Sequence, residues 1–331
     1  SSPDFPVPLG QGRSPISPVD DPSVSGLPGP DGYRPRPVAY ICFQAVLRTV
    51  LHLSAVRRTD AYRQFYEPLM ETQSPLLPGS PLVDIEDLSL FLPGDARQKM
   101  ILHHIDWHLC RGEHHLLLGH NGAGKSTLMS ALMGDPRYTV TRGQILFRGQ
   151  DVTHEPADVR ARLGMFLSFQ TPEEIPGITL ENFLRTAQSA ITGKPVKVFA
   201  FRKELAQQMD ALGMDPSYAD RYLNVGFSGG EKKKSEILQL LMLKPRLALL
   251  DETDSGLDVD AVKTVAQGVR AYHNAENALI IITHNAKILE GLKVDYVHVL
   301  DDAHIVRTGG DELVNEIIEE GFHAVKEDKA E

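Results

Sequence analysis

Nine consecutive residues carry the densest chemistry in this chain: Gly119-His120-Asn121-Gly122-Ala123-Gly124-Lys125-Ser126-Thr127. The apolar run Leu116-Leu117-Leu118 precedes them and the helix-like stretch Leu128 to Met133 follows. Strand, glycine-rich turn and helix, in that order, form the context of a phosphate-binding loop. The glycines let successive backbone N–H groups converge on phosphate oxygens where a side chain would block the approach. The helix that starts there adds its positive dipole end and its unpaired amides. Lys125 can reach the β- and γ-phosphates as a point charge, and the Ser126 hydroxyl can ligate Mg²⁺. The pattern points to a nucleoside-triphosphate site rather than to a merely tight strand-to-helix turn.

Three further polar positions end apolar, strand-like runs. Leu247-Ala248-Leu249-Leu250 ends in Asp251-Glu252. Beside a phosphate loop, Asp251 would hold the hydration shell of Mg²⁺ opposite Ser126, where an isolated acid of this kind would more often cap the next helix. Glu252 would then face the γ-phosphate and polarise the attacking water as general base. Leu279 to Ile282 ends at Thr283-His284, and His284 beside Glu252 can hydrogen-bond the γ-phosphate. Leu163 to Phe169 ends in Gln170. Separately, Ser228-Gly229-Gly230-Glu231 opens a long helical stretch, giving a second anion site of amides plus dipole, or simply an N-cap ahead of a lysine-rich face. On a separate helical segment it cannot reach this chain's own loop, but a second copy could supply it.

The elements needed to position these groups are legible. Leu82 to Leu90 alternates as a strand, and Ile101 to Leu109 partly so. Leu180 to Ala190 and Phe201 to Leu212 carry helical spacing, a helix runs from Gly229 until Pro245 stops it, and another spans Asp260 to Tyr272. Val297–Leu300 and His304–Thr308 form a final hairpin. Strands alternating with helices imply an α/β fold with a mainly parallel sheet, whose ligands gather at the strands' carboxyl ends. The phosphate loop, Gln170, Asp251-Glu252 and His284 all fall at such ends. Five histidines lie between His103 and His115, and His104 and His108 would share a strand face. They are expected to be neutral histidines on an exposed face, with no metal assigned.

Residues 1–80 differ from the rest: they hold 13 of the 22 prolines, and their basic residues are all arginine. That composition favours an extended arm without chemistry of its own. The expected organisation is an extension over 1–80, a globular domain over 81–325 with a helical subdomain at about 172–243, and a charged tail at 326–331. A net charge of −10 argues against nucleic acid held by phosphate neutralisation and against docking to anionic lipid. Cys42 and Cys110 are the only cysteines, too few for a disulfide framework, and suit a reducing, cytoplasmic compartment. Val38 to Val56 is broken by polar and charged residues and is too short to span a bilayer, so no membrane insertion is expected.

Taken in order, the loop at Gly119–Thr127, Gln170, Ser228-Gly229-Gly230, Leu247–Glu252, Ser255–Asp258 and His284 resemble the full motif set of the ABC-type ATPases, over residues 82–320. Within that group the chain is similar to the SufC ATPases of the SUF iron–sulphur cluster assembly machinery. Phe169 to Gly177, Asn224 to Lys233, Leu250 to Asp258 and Asp295 to Leu300 carry the likeness, and Phe227-Ser228-Gly229-Gly230-Glu231 replaces a transporter-typical Leu-Ser-Gly-Gly-Gln. His120 stands where proline is usual, at a position where the backbone does the binding. The resemblance implies an ABC-type P-loop NTPase fold with an antiparallel β subdomain and a helical subdomain. It implies ATP and Mg²⁺ as ligands, with Ser126, Gln170 and Asp251 around the metal. The cofactor contacts would come from Gly119 to Thr127, Gln170, Ser228 to Glu231, Asp251 and Asp258. Lys125, Glu252 and His284 would carry catalysis, and Phe91 is the nearest candidate to stack on adenine. The implied partners are SufB- and SufD-like scaffold proteins and a transient homodimer around two ATP. The rival readings are the nucleotide-binding subunit of a membrane transporter and a non-hydrolytic nucleotide-dependent clamp.

Overall fold

The computed structural model describes residues 80–91, 100–283, 289 and 292–320. All of the expected extension except Ser80, the charged tail and His284 lie outside the described residues. In chain order the elements are β1 (Val83–Phe91), β2 (Met100–Leu109), β3 (His114–Leu118), α1 (Lys125–Leu132), β4 (Thr139–Phe147), β5 (Gln150–Asp151), α2 (Ala157–Leu163) and β6 (Met165–Ser168). They continue with β7 (Ile175–Thr179), α3 (Leu180–Thr192), α4 (Val198–Ala211), β8 (Tyr222–Leu223), α5 (Gly229–Leu243) and β9 (Leu247–Asp251). The last are α6 (Val259–Tyr272), β10 (Ala278–Ile282), β11 (Tyr296–Asp301), β12 (His304–Gly309) and α7 (Glu312–Glu320).

The central sheet runs β12-β11-β3-β10-β9-β6, parallel throughout except for the terminal β11–β12 hairpin. Its inner strands β3, β10 and β9 are buried on both faces, as the apolar runs of β9 and β10 require, while β12 at the edge is partly exposed. Successive side chains alternate across the sheet and feed two cores. Leu116, Ala248, Leu250, Leu279, Ile281 and Val297 point into one, with α3, α4, α5 and α6. Leu117, Leu247, Leu249, Ala278, Ile280 and Ile282 point into the other, with α1 and the antiparallel sheet β2-β1-β4-β5. The expected α/β architecture, with its antiparallel and helical additions, is therefore the observed one.

Two local expectations are corrected. The run from Leu163 is not strand throughout: Leu163 closes α2, Gly164 ends that helix in the left-handed region at φ 107°, and β6 begins only at Met165. Buried Arg160 on α2 donates to the carbonyls of Ala131 and Leu132 at 2.8 Å, satisfying acceptors that the end of α1 leaves open. Nor do the histidines all face solvent. His104 and His108 do, each against a carboxylate, Asp87 and Asp84 at 2.5 Å. His114 and His115 lie inside β3 and are buried.

His115 sits in a closed polar chain. Its Nδ1 accepts from Trp107 Nε1 at 2.8 Å and faces His298 Nε2 at 2.9 Å, while His298 Nδ1 meets Thr308 Oγ1 at 3.0 Å. Burial pushes His115 down to about 4 and His298 down to about 3. Both lie below the ordinary histidine value of about 6.5, so the unfolded chain takes up protons that the fold refuses. The neutral pair is fully compatible with folding above about pH 6.5, and stability is lost as pH falls from there towards 4, at about 1.4 kcal/mol per pH unit per histidine. Urea unfolding midpoints should decline from pH 7 to 5, and His298→Leu should flatten that decline; equal slopes in both chains would count against the assignment.

Candidate nucleotide site

β3 delivers the chain into the glycine loop at the carboxyl edge of the sheet. Gly119 packs so tightly against β11 that a Cβ there would lie 2.2 Å from the Leu300 carbonyl oxygen, at φ +153°. Gly124 is the N-cap of α1 at φ 108°, a conformation that side chains resist. These two positions explain the glycines of the motif, and α1 starts at Lys125 directly behind them. The Lys125 ammonium donates to the carbonyls of Gly119 at 2.8 Å and His120 at 3.0 Å, so it lies across the loop opening. Burial lowers its pKa, while the carboxylates of Glu252 and Asp251 oppose that shift.

Parallel pairing brings the other groups to the same edge. β10 lies between β3 and β9, with Ile281 aligned to Leu116 on one side and Ile282 to Asp251 on the other. Burial pushes the Asp251 carboxyl up, opposed first by a hydrogen bond from Ser126. Its Oδ1 is buried without a hydrogen-bond partner. An orphaned carboxylate oxygen beside a serine hydroxyl suits a hydrated hard cation such as Mg²⁺, which takes few protein ligands and oxygen donors only. Ser126 and Asp251 fit that ion. Among the described residues no group of three His, Cys, Asp or Glu side chains forms a metal cluster of another kind.

Glu252 follows with φ 47°, its amide bonded to the Ile282 carbonyl at 2.9 Å. Gln170 Nε2 donates to Glu252 Oε2 at 2.6 Å, joining the second residue beyond β6 to the residue after β9. Thr283 Oγ1 donates to Asp254 Oδ2 at 2.8 Å and ties the end of β10 to the segment after Glu252. Asp258 caps α6, accepting the Ala261 amide at 2.8 Å. Phe91 ends β1, half-buried, opposite Met100 and Thr139.

Ser228, Gly229, Gly230 and Glu231 open α5. Ser228 and Glu231 form a reciprocal capping box, with the Ser228 amide 2.7 Å from Glu231 Oε2. Tyr218 hydroxyl also donates to Glu231, and Arg221 lies over the rings of Tyr218 and Phe227 at 4.4 and 4.9 Å. The lysines that follow have partners in the chain: Lys232 meets Glu174, Lys233 meets Phe169 and Glu236, and Lys234 meets the Gly213 carbonyl. Sequence reasoning did not single out Tyr218, Arg221 or Glu236: Tyr218 and Glu236 find partners 13 and 67 positions away, and the stacking of Arg221 on two rings depends on how its loop folds. A cavity of about 430 Å³ opens nearby, with Leu163, Phe166, Phe169, Phe183 and Met242 in its mostly apolar wall.

A parallel sheet with a glycine loop, a buried carboxylate and a Gln–Glu pair at its carboxyl edge defines a P-loop nucleotide cassette. Residues 102–255 match the ABC transporter family. Vegetative protein 296 of Bacillus subtilis is 42% identical over 246 residues, covering 74% of this chain and 93% of that protein. A probable ABC transporter ATP-binding protein of Streptococcus pyogenes serotype M3 is 45% identical over 251 residues, covering 75% and 96%. The solved structure of a dimeric bacterial ABC transporter cassette shares the fold, with a TM-score of 0.60 at 16% identity over 69% of this chain and 98% of that one. The chain belongs to the ATP-binding cassettes of the ABC transporter family. Among the described residues no helix is long and apolar enough to cross a membrane.

Replacing Gly119 by alanine drives a methyl into Leu300. Nucleotide affinity, read by titration with a fluorescent ATP analogue, should fall at least tenfold in Gly119→Ala, and the melting temperature should fall with it.

Proposed function

We propose that this chain is the ATP-hydrolysing subunit of a SUF-type iron–sulphur cluster assembly machine, acting in the cytoplasm on SufB- and SufD-like scaffold proteins. The observation that carries the hydrolytic part is the 2.6 Å bond from Gln170 to Glu252 beside the phosphate loop, which holds a carboxylate where water would be activated. The sequence likeness of Phe169–Gly177 and Asn224–Lys233 to SufC supports the choice of partner.

In this reading the loop amides and Lys125 take phosphate oxygens, the ammonium exchanging the Gly119 and His120 carbonyls for them. Mg²⁺, held by Ser126, Gln170 and Asp251, would neutralise charge on the β- and γ-phosphates. Glu252 accepts the proton of the attacking water, and His284 bonds the γ-phosphate. Ser228 to Glu231, exposed or half-buried at the start of α5, act on the nucleotide of a second copy, so closure of two chains around two ATP completes both sites. The proposed domain limits are a cassette over 81–325, its helical part about 172–243, with a Pro-rich arm before it and a short charged tail after it. The apolar cavity touching Phe169 lies one residue from Gln170, which supports a partner side chain reaching the hydrolytic machinery there.

The name carried by the Streptococcus relative favours a second reading, in which the partner is a membrane transporter subunit. Glu252→Gln separates these readings. Turnover should fall 100-fold or more with ATP still bound, and the trapped, tagged chain should co-purify SufB- and SufD-like proteins that stimulate the wild-type ATPase. Recovery of integral membrane subunits moves the protein to transport. ATP left intact by the wild-type chain with its partners makes it a non-hydrolytic clamp.

A further inference from the structure

Lys233 and Glu236 lie on α5, one and two turns beyond the Ser228 cap, and both are buried, at 4% exposure each. Glu236 Oε1 accepts the Phe169 amide at 2.9 Å, and Glu236 Oε2 accepts the Ser168 hydroxyl at 2.9 Å. Lys233 Nζ donates to the Phe169 carbonyl at 2.7 Å and reaches Glu236 Oε2 at 3.3 Å. Both backbone polar groups of Phe169 are thus held by side chains of a single helix. Among the described residues β6 is an edge strand, paired only with β9, so beyond Ser168 they offer Phe169 no strand partner on its outer side. An apolar contact from α5 would pack that edge but leave its N–H and C=O unsatisfied. A buried ion pair costs desolvation and is a weak source of stability; its distinctive property is that it fixes geometry.

The next residue is Gln170, whose amide holds Glu252. A continuous chain of contacts therefore runs from the Ser228 cap along α5, through Lys233 and Glu236, to Phe169, Gln170 and Glu252. We propose that Lys233 and Glu236 are positioning residues that lock Gln170 to α5, so that the base Glu252 is aligned according to where the start of α5 sits. This rests on the hydrolytic reading above and adds to it how engagement of one chain's signature segment is transmitted to the same chain's base. α5 is stiff over this distance, about 12 Å for eight residues, so displacement at Ser228 moves Phe169 rather than dissipating.

The test is a double-mutant cycle in the full chain. Lys233→Met with Glu236→Leu removes both buried charges together, leaving no unpaired ion, and releases both backbone groups of Phe169. The joint variant should lose at least tenfold in kcat, with the Kd for a fluorescent ATP analogue within twofold of wild type. In a Gln170→Ala background the same substitutions should cost less than a further twofold, since they act through Gln170. Equal losses in both backgrounds, or an unchanged kcat, would overturn the proposal. If the joint variant does not fold, the uncharged but polar pair Lys233→Met with Glu236→Gln is read in the same way. A second readout needs no hydrolysis: on adding Mg·ATP to the wild-type chain, hydrogen exchange over 169–175 and over 228–236 should change together. In the variant the two segments should respond independently, and a joint response there refutes the link. A wild-type chain without ATPase activity would sink the hydrolytic reading, while this exchange experiment would still decide the coupling.

Discussion

The site rests on the parallel pairing of β10 with β3 on one side and β9 on the other. β10 begins about 160 residues after β3 and about 30 after β9, yet their carboxyl ends lie side by side. Every chemical group at the edge inherits its place from that register. A slip of one residue would turn the Leu250 and Asp251 positions to opposite faces and exchange the two cores. The apolar content of these strands, alternating between two separate cores, makes such a slip costly and keeps the edge fixed.

Around that edge the polar groups compensate one another's burial. Lys125 and Asp251 are each shifted towards neutrality by loss of water, and each is pulled back by the other's charge. The loop itself approaches β11 at Gly119 with no room for a side chain. A cation, two carboxylates and a set of backbone amides are thereby concentrated where a phosphate chain would supply the missing negative charge and a hydrated cation would meet the orphaned Asp251 oxygen.

α5 belongs both to the helical core and to this edge. Its apolar residues Ile237, Leu238 and Leu241 pack with α3, α4 and α6, while Lys233 and Glu236 reach across to the end of β6. The buried polar chain of Trp107, His115, His298 and Thr308 does comparable work at the opposite flank, linking β2, β3, β11 and β12. In both places buried polar groups specify which backbone segments meet, where apolar packing alone would allow several arrangements.

The sequence by itself determined the class of fold and most of the edge. Glycine spacing at Gly119–Gly124, apolar runs ending in Gln170 and Asp251-Glu252, and a serine-capped helix at Ser228 are local signals, each set by backbone conformation or burial within a few residues. It did not determine where β6 begins, because Leu163 is apolar in either state and only the left-handed Gly164 divides helix from strand. It placed His114 and His115 with the exposed histidines, because burial on both faces depends on β10 and β11, far along the chain. Only the tertiary structure decided that Gln170 holds Glu252 and that Glu236 holds Phe169, bonds 82 and 67 residues apart. Those partners are chosen by strand order and helix packing, and no local pattern records them.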